Sequence, residues 1–270
     1  MPNFRALFFG ALLFAAGMAR AEVVVLVHGY LGSAASWEES GINAVLEQHG
    51  WGRAGILIPG PGGVGLLPPP APPVGQPVYA VELPSLAPMS IQADYLQGVL
   101  RWVAARHSDE PVNLVAHSAG GVAARLVLVR GGVPGIKRLV TIASPHLGTL
   151  RAVEALEETH QGGPFGWFKD FFGGGLYHAV KDSWGALLDL TPAAPGNLLF
   201  WLNQQPHPAI HYYAIVRTGP VGLGDELIPA FSQDLNNVPA LRGKVQVLLT
   251  PADHSLNPAD GLLLAAILKT

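Results

Sequence analysis

Residues 111–129 read PVNLVAHSAGGVAARLVLV, and this stretch sets the reading of the whole chain. Val112, Leu114 and Val115 make a short apolar run of β-forming residues, and residues 122–129 continue with apolar positions at helical spacing. Between them Ala116-His117-Ser118-Ala119-Gly120-Gly121 is small and tightly turned. A strand, a sharp turn and a helix with a serine at the tip is the geometry of a nucleophile elbow. The chemistry requires the small residues. Ser118 has to adopt a strained backbone conformation costing of order 1–3 kcal/mol to push its hydroxyl out of the turn. Ala116 and Gly120, two residues to either side, then come too close together for larger side chains. Gly121 lets the helix sit close to the sheet, and the N–H of Ala119 at the helix start is placed to meet a developing negative oxygen.

The 270 residues, 49% hydrophobic and 13% charged, suit one large globular α/β domain. A formal net charge of −3 gives no footprint for nucleic acid, and no basic run points to an anionic membrane surface. With no cysteine, the chain has no disulfide framework, thiol nucleophile or cysteine zinc site, so stability rests on the size of the core. Residues 1–21 read as a signal peptide: Arg5, an apolar core over 6–18 and an Ala19-Arg20-Ala21 cleavage site. That core is shorter than the ~20 apolar residues of a membrane span. The expected product is a single exported domain over 22–270, periplasmic or secreted.

In chain order, Val23 to Val27 is a continuous apolar run expected of a strand buried on both faces. His28-Gly29-Tyr30-Leu31 follows it, and residues 36–48 read as a helix. A buried strand running into His-Gly-aromatic resembles the oxyanion loop of α/β-hydrolases. The resemblance implies that Gly29 permits the turn and that the N–H of Tyr30, or failing it Leu31, is the second donor to a negative oxygen. His28 reads better as a structural, hydrogen-bonded histidine than as a catalytic one. Residues 56–77, with Gly60-Pro-Gly-Gly and Pro68-Pro-Pro-Ala-Pro-Pro, read as an irregular, polyproline-like surface loop. Further strands are expected at 78–83, 135–143, 211–216 and 244–249, and helices at 90–107 and 258–268. Strands alternating with helices predict a mostly parallel sheet with helices on both faces, its active residues on the edge formed by the strand C-termini. Residues 150–209 break the alternation with Trp167, Phe168, Phe171, Phe172 and a leucine-rich run, and read as a helical cap hinged by glycines.

A serine hydroxyl needs a neighbouring imidazole to take its proton, and the imidazole needs a carboxylate to fix its tautomer. Among 10 histidines His254 is favoured, because its loop follows the last strand. His117 adjoins the serine but points away from it; His160, His178 and His207 fall in the cap; His49 and His107 sit near helix ends. Asp225 follows the penultimate strand and is the favoured acid, with Glu226 and Asp234 in reserve. Asp253 is awkwardly adjacent to the histidine, and Asp182 and Asp189 lie in the cap. The order Ser118, Asp225, His254 is Ser…Asp/Glu…His.

The blocks VVVLVHGYLGS, VYAVELP, NLVAHSAGGVAARLVL, LVTIASPHLGT, GDELIP and ADHSLNP resemble those of secreted bacterial triacylglycerol lipases and esterases of the α/β-hydrolase superfamily. The resemblance runs from Val23 to the terminal helix and implies that fold with a helical lid. In it Ser118 is the nucleophile, His254 the base and Asp225 the acid, with Tyr30 and Ala119 N–H groups as the oxyanion hole. Two positions depart: Ala116 replaces the first glycine of Gly-x-Ser-x-Gly, a variation known in such lipases, and Glu226 stands where glycine usually follows the acid. Substrate contacts are expected from His28, Leu31, His117, Leu147 and the four cap aromatics. No cofactor, metal or obligate protein partner is expected. The partner is a small lipid-like ester, with transient contact with a lipid interface through the lid. An acyltransferase or thioesterase on the same triad is the alternative, and a non-catalytic lipid-binding protein on this scaffold a more distant one.

Overall fold

The computed structural model describes residues 21–161 and 182–270, with backbone alone for 158–161. Eight strands form one sheet: β1 (Val23–Val27), β2 (Trp51–Gly60), β3 (Gly63–Leu67), β4 (Gln76–Val81), β5 (Val112–His117), β6 (Ile136–Ile142), β7 (His211–Arg217) and β8 (Val245–Thr250). The spatial order is β3-β2-β4-β1-β5-β6-β7-β8, and only the β2–β3 pair is antiparallel. The helices are α1 (Ser36–Glu39), α2 (Ile42–Gln48), α3 (Met89–Arg106), α4 (Ala119–Val129), α5 (Leu150–Gln161), α6 (Trp184–Asp189), α7 (Leu198–Gln204), α8 (Ala230–Gln233) and α9 (Pro258–Leu268).

The five apolar residues of β1 follow from its place at the centre of this sheet. Val23, Val25 and Val27 face the core shared with α3 and α4, whereas Val24 and Leu26 face the core shared with α2 and α9. A strand covered on both faces has no position for a polar side chain. Two expectations change. The single helix over 36–48 is two helices, broken at Gly41, whose φ of 75° is left-handed. The stretch 56–77 is not one irregular loop: β2 and β3 form a hairpin turning at Gly60-Pro61-Gly62-Gly63, and only residues 68–75 lack regular structure. The glycines and prolines that obscured it supply the turn, and Gly55 lies so close to the Leu67 carbonyl that a side chain there has no room.

The helices after β6 are tied to the body by polar contacts. Arg125 of α4 is fully buried; its Nη2 donates to Asn203 Oδ1 of α7 at 2.9 Å and its Nε to His207 Nε2 at 3.2 Å. Among the described residues no carboxylate pairs with it. Burial pulls its pKa down to about 9, which still leaves it cationic at neutral pH. His207 must therefore accept, and its Nδ1–H donates to the Gln205 carbonyl at 2.9 Å. Burial first, then the charge of Arg125, and more weakly Lys244, hold its pKa down to about 4. Above pH about 6.5 folded and unfolded chains both carry this ring neutral. Between there and about 4 only the unfolded chain takes up the proton, so stability falls as the solution is acidified. A glutamine at 207 keeps an acceptor for Arg125 but cannot titrate. The urea midpoint of His207→Gln should fall less than that of the wild type between pH 7 and pH 4.5; equal falls would contradict the assignment.

Candidate active site

The elbow forms because β5 runs into α4 with a single residue between them. Ser118 takes φ 51° and ψ −131°, a conformation uncommon outside glycine. Surrounding bonds over-determine it: its N–H donates to the Ile142 carbonyl at 2.8 Å, and its carbonyl accepts from Gly121 N–H at 2.9 Å. The need for small residues has a sharper cause than mutual crowding of Ala116 and Gly120. A Cβ on Gly120 would collide with the His28 carbonyl, and one on Gly121 would strike Ser144 at the end of β6. A Cβ on Gly29 would stand 2.6 Å from the Ser118 Cβ, so the loop after β1 passes directly over the serine.

Asp225 lies in the loop after β7 and His254 in the loop after β8. Asp225 Oδ1 accepts from the N–H groups of Leu227 (2.8 Å) and Ile228 (2.6 Å). Its Oδ2 accepts from Gln233 Nε2 and faces His254 Nδ1, each at 3.0 Å. His254 Nε2 lies 2.9 Å from Ser118 Oγ. A carboxylate flanked by donors only accepts, so His254 carries its proton on Nδ1. Nε2 is then left with its lone pair facing the hydroxyl, the arrangement a general base needs. The reserve acids are engaged elsewhere: Asp234 Oδ1 accepts from Asn236 N–H at 2.8 Å, and Glu226 reaches the main chain of His254.

At the α4 N-terminus the N–H of Ala119 and, across the cleft, that of Tyr30 meet no backbone or side-chain acceptor among the described residues. The Tyr30 hydroxyl hydrogen-bonds to Ser183 Oγ at 2.6 Å, beside α6, and burial pushes its pKa up to about 12. Tyr30 and Leu31 also pack on Ala155, Leu156 and Leu187, so the loop after β1 rests against α5 and α6. Leu31 has φ 57°, a left-handed conformation that, like that of Ser118, is uncommon outside glycine.

A cleft of about 370 Å³ opens over Ser118, walled by Tyr30, Leu31, His117, Leu227, His254 and Leu256, with Ser36, Glu39 and Ser40 along one side. His28 and Leu147, expected as substrate contacts, do not line it. His28 is buried; its Nε2 accepts from Leu83 N–H at 3.0 Å, its Nδ1–H donates to the Gly29 carbonyl at 3.0 Å, and burial lowers its pKa. It is a bracket between the loops after β1 and β4. Leu147 N–H donates to Ser232 Oγ at 3.1 Å, which ties the loop after β6 to α8. Trp167, Phe168, Phe171 and Phe172 lie outside the described residues. Leu227 and Leu256 were missed by the sequence reading, although each lies two residues from a predicted triad member. Ser36, Glu39 and Ser40 carried no signal, since only the path of α1 brings them to the cleft.

The sequence model described as alpha/beta hydrolase fold matches residues 22–248, and the chain belongs to that family. No curated protein sequence matches it. Among solved structures, the mature lipase BlEst2 of Bacillus licheniformis is similar at TM-score 0.64 and 16% identity, over 94% of this chain and 93% of that one. A gene product of Listeria innocua is similar at TM-score 0.60 and 16% identity, over 92% of each chain. A metagenomic carboxyl esterase, MGS0156, is similar at TM-score 0.55 and 16% identity, over 92% of this chain and 75% of that one. At such identities the likeness is one of fold, and activity has to be argued from the site.

Proposed function

We propose that the protein is an exported carboxylic ester hydrolase acting on lipid-like esters through an acyl-enzyme. The line from Ser118 Oγ to His254 Nε2 and from His254 Nδ1 to Asp225 Oδ2, at 2.9 and 3.0 Å, carries this reading. As Ser118 Oγ bonds to the ester carbonyl carbon, its proton passes to His254 Nε2, and Asp225 stabilises the resulting imidazolium. The N–H groups of Tyr30 and Ala119 receive the negative carbonyl oxygen. Collapse breaks the bond to the leaving alcohol, which takes the proton from His254. Water then gives a proton to the same nitrogen as its oxygen bonds to the acyl carbon. The bond from that carbon to Ser118 Oγ breaks, Oγ takes the proton back from His254, and the acid leaves. The order of groups along one sheet edge supports this sequence, and lipases and esterases are among the solved structures of similar fold.

The lipid-like preference is supported by Tyr30, Leu31, Leu227 and Leu256 in the cleft and by exposed Leu150, Leu188, Val221, Leu223 and Phe231 in segments that follow β6 and β7. Residues 150–209 as a cap, transient contact with a lipid interface through it, and export after cleavage near Ala21 belong to the same proposal. Each added acyl methylene that the cleft buries is worth about 0.8 kcal/mol, roughly a fourfold gain. With p-nitrophenyl esters, kcat/KM should therefore climb from acetate over the first few methylenes and level off once the cleft is full. A profile flat from acetate onward, or falling from it, would contradict the lipid-like substrate class.

A further inference from the structure

We propose that His117 and Glu226 are positioning residues that clamp the main chain of His254 and so set the aim of its imidazole. The proposal rests on the ester hydrolase reading above. His254 stands on weak ground. Its loop follows β8, which has a neighbour on one side only, and residues 251–257 form no helix or strand. Pro251, Asp253 and Ser255 are exposed. On either side of His254 the loop is pinned, by Thr218 N–H to the Thr250 carbonyl at 2.8 Å and by Arg217 Nη2 to the Ser255 carbonyl at 3.1 Å. Neither bond fixes His254 itself.

His117 and Glu226 do. The His254 carbonyl lies 2.9 Å from His117 Nε2, and since a carbonyl only accepts, that nitrogen carries the hydrogen. The His254 N–H lies 3.3 Å from each carboxylate oxygen of Glu226, a shared, bifurcated contact. His117 is half-buried in the cleft wall, and desolvation by the packed surroundings and then the neighbouring His254 hold its pKa well below the ordinary histidine value, so its Nε2 stays a neutral donor. The pairing has a simple logic. Ser118 and Asp225 touch the imidazole, while the residue before the one and the residue after the other hold the same histidine's carbonyl and amide. All three loops are thereby locked in register at one residue. Glutamate in place of the glycine usual after the acid acquires a task, and so does a histidine that cannot reach the serine. A misplacement of about 1 Å at such a site costs roughly 10²-fold in rate, so two bonds that prevent one matter to kcat.

The test compares His117→Leu and Glu226→Leu, which remove the bonds, with His117→Gln and Glu226→Gln, which keep a donor or an acceptor in reach. In the full chain, both leucine variants should lose roughly 10- to 100-fold in kcat with KM within about threefold, and the glutamine variants should recover to within about fivefold of wild type. The Glu226 side chain is exposed, so its variants fold and keep the test decisive should His117→Leu not. The downfield proton resonance of His254 Nδ1 gives a readout independent of substrate: sharp in wild type and glutamine variants, broadened in leucine variants. Leucine variants with wild-type kcat and a sharp resonance would overturn the clamp. So would glutamine variants as impaired as the leucine ones. A wild type that hydrolyses no ester, with the resonance pattern as expected, would overturn the ester hydrolase reading and leave the clamp geometry standing.

Discussion

Alanine at position 118 should lower kcat/KM for a carboxylic ester by about 10⁴- to 10⁶-fold while leaving the chain folded. The hydroxyl is the only atom removed, and without it no acyl-enzyme forms; the remainder over the uncatalysed reaction would come from the oxyanion donors and binding alone. The same position separates function from stability. Its φ of 51° and ψ of −131° are costly for any residue with a Cβ and nearly free for glycine. Ser118→Gly should therefore be as inactive as Ser118→Ala yet more stable than it, by about 1 kcal/mol after glycine's greater unfolded-state entropy is set against the relieved strain. Chemical denaturation of the two variants checks this. An alanine variant at least as stable as the glycine one would mean that the elbow stores no strain.

The second large effect is expected far from the serine. Arg217 at the end of β7 and Asp260 in α9 form a bidentate pair at 2.7 and 2.6 Å, with side chains 0% and 1% exposed. Arg217 also donates to Thr250 Oγ1 at 3.0 Å and to the Ser255 carbonyl at 3.1 Å. Asp260 closes a capping box with Asn257, its Oδ2 accepting from Asn257 N–H at 3.0 Å. One buried pair thus joins β7, β8, the His254 loop and the last helix. Removing one partner leaves an uncompensated charge in the core, so Arg217→Met should cost about 3–5 kcal/mol. For a chain of this size that lowers Tm by roughly 10 °C. Replacing both partners, Arg217→Met with Asp260→Leu, should return much of that stability, because the orphaned carboxylate is gone. Activity should not return with it, since the Ser255 carbonyl, next to His254, has then lost the donor that holds it. A double variant that regains stability and full kcat together would show that the pair has no part in placing His254.

How far the molecule was legible in its sequence follows from how local each feature is. The parallel sheet could be read from runs such as Val23–Val27, because burial on both faces leaves no polar position to blur the signal. The elbow was visible because a strained turn and a close helix both demand small residues in a fixed pattern. That Ser118, Asp225 and His254 share one edge follows from each standing just after a strand of a parallel sheet. The β2–β3 hairpin was hidden, since the glycines and prolines that read as an irregular loop are its turn and its close-contact positions. The polar contacts of His28, Arg125, Arg217 and Glu226 span 28 to 82 residues and join side chains whose types alone carry no partner information. Only the folded arrangement shows that Glu226 faces the amide of His254 and not its ring.

The most direct measurement is intact-mass and peptide analysis of the protein after brief exposure to a fluorophosphonate or a slowly deacylating ester. One adduct per chain, on the peptide carrying Ser118, is expected, with labelling slowed by orders of magnitude in His254→Ala. An adduct elsewhere, or labelling of Ser118 at the same rate without the imidazole, would contradict a serine activated by His254 and Asp225.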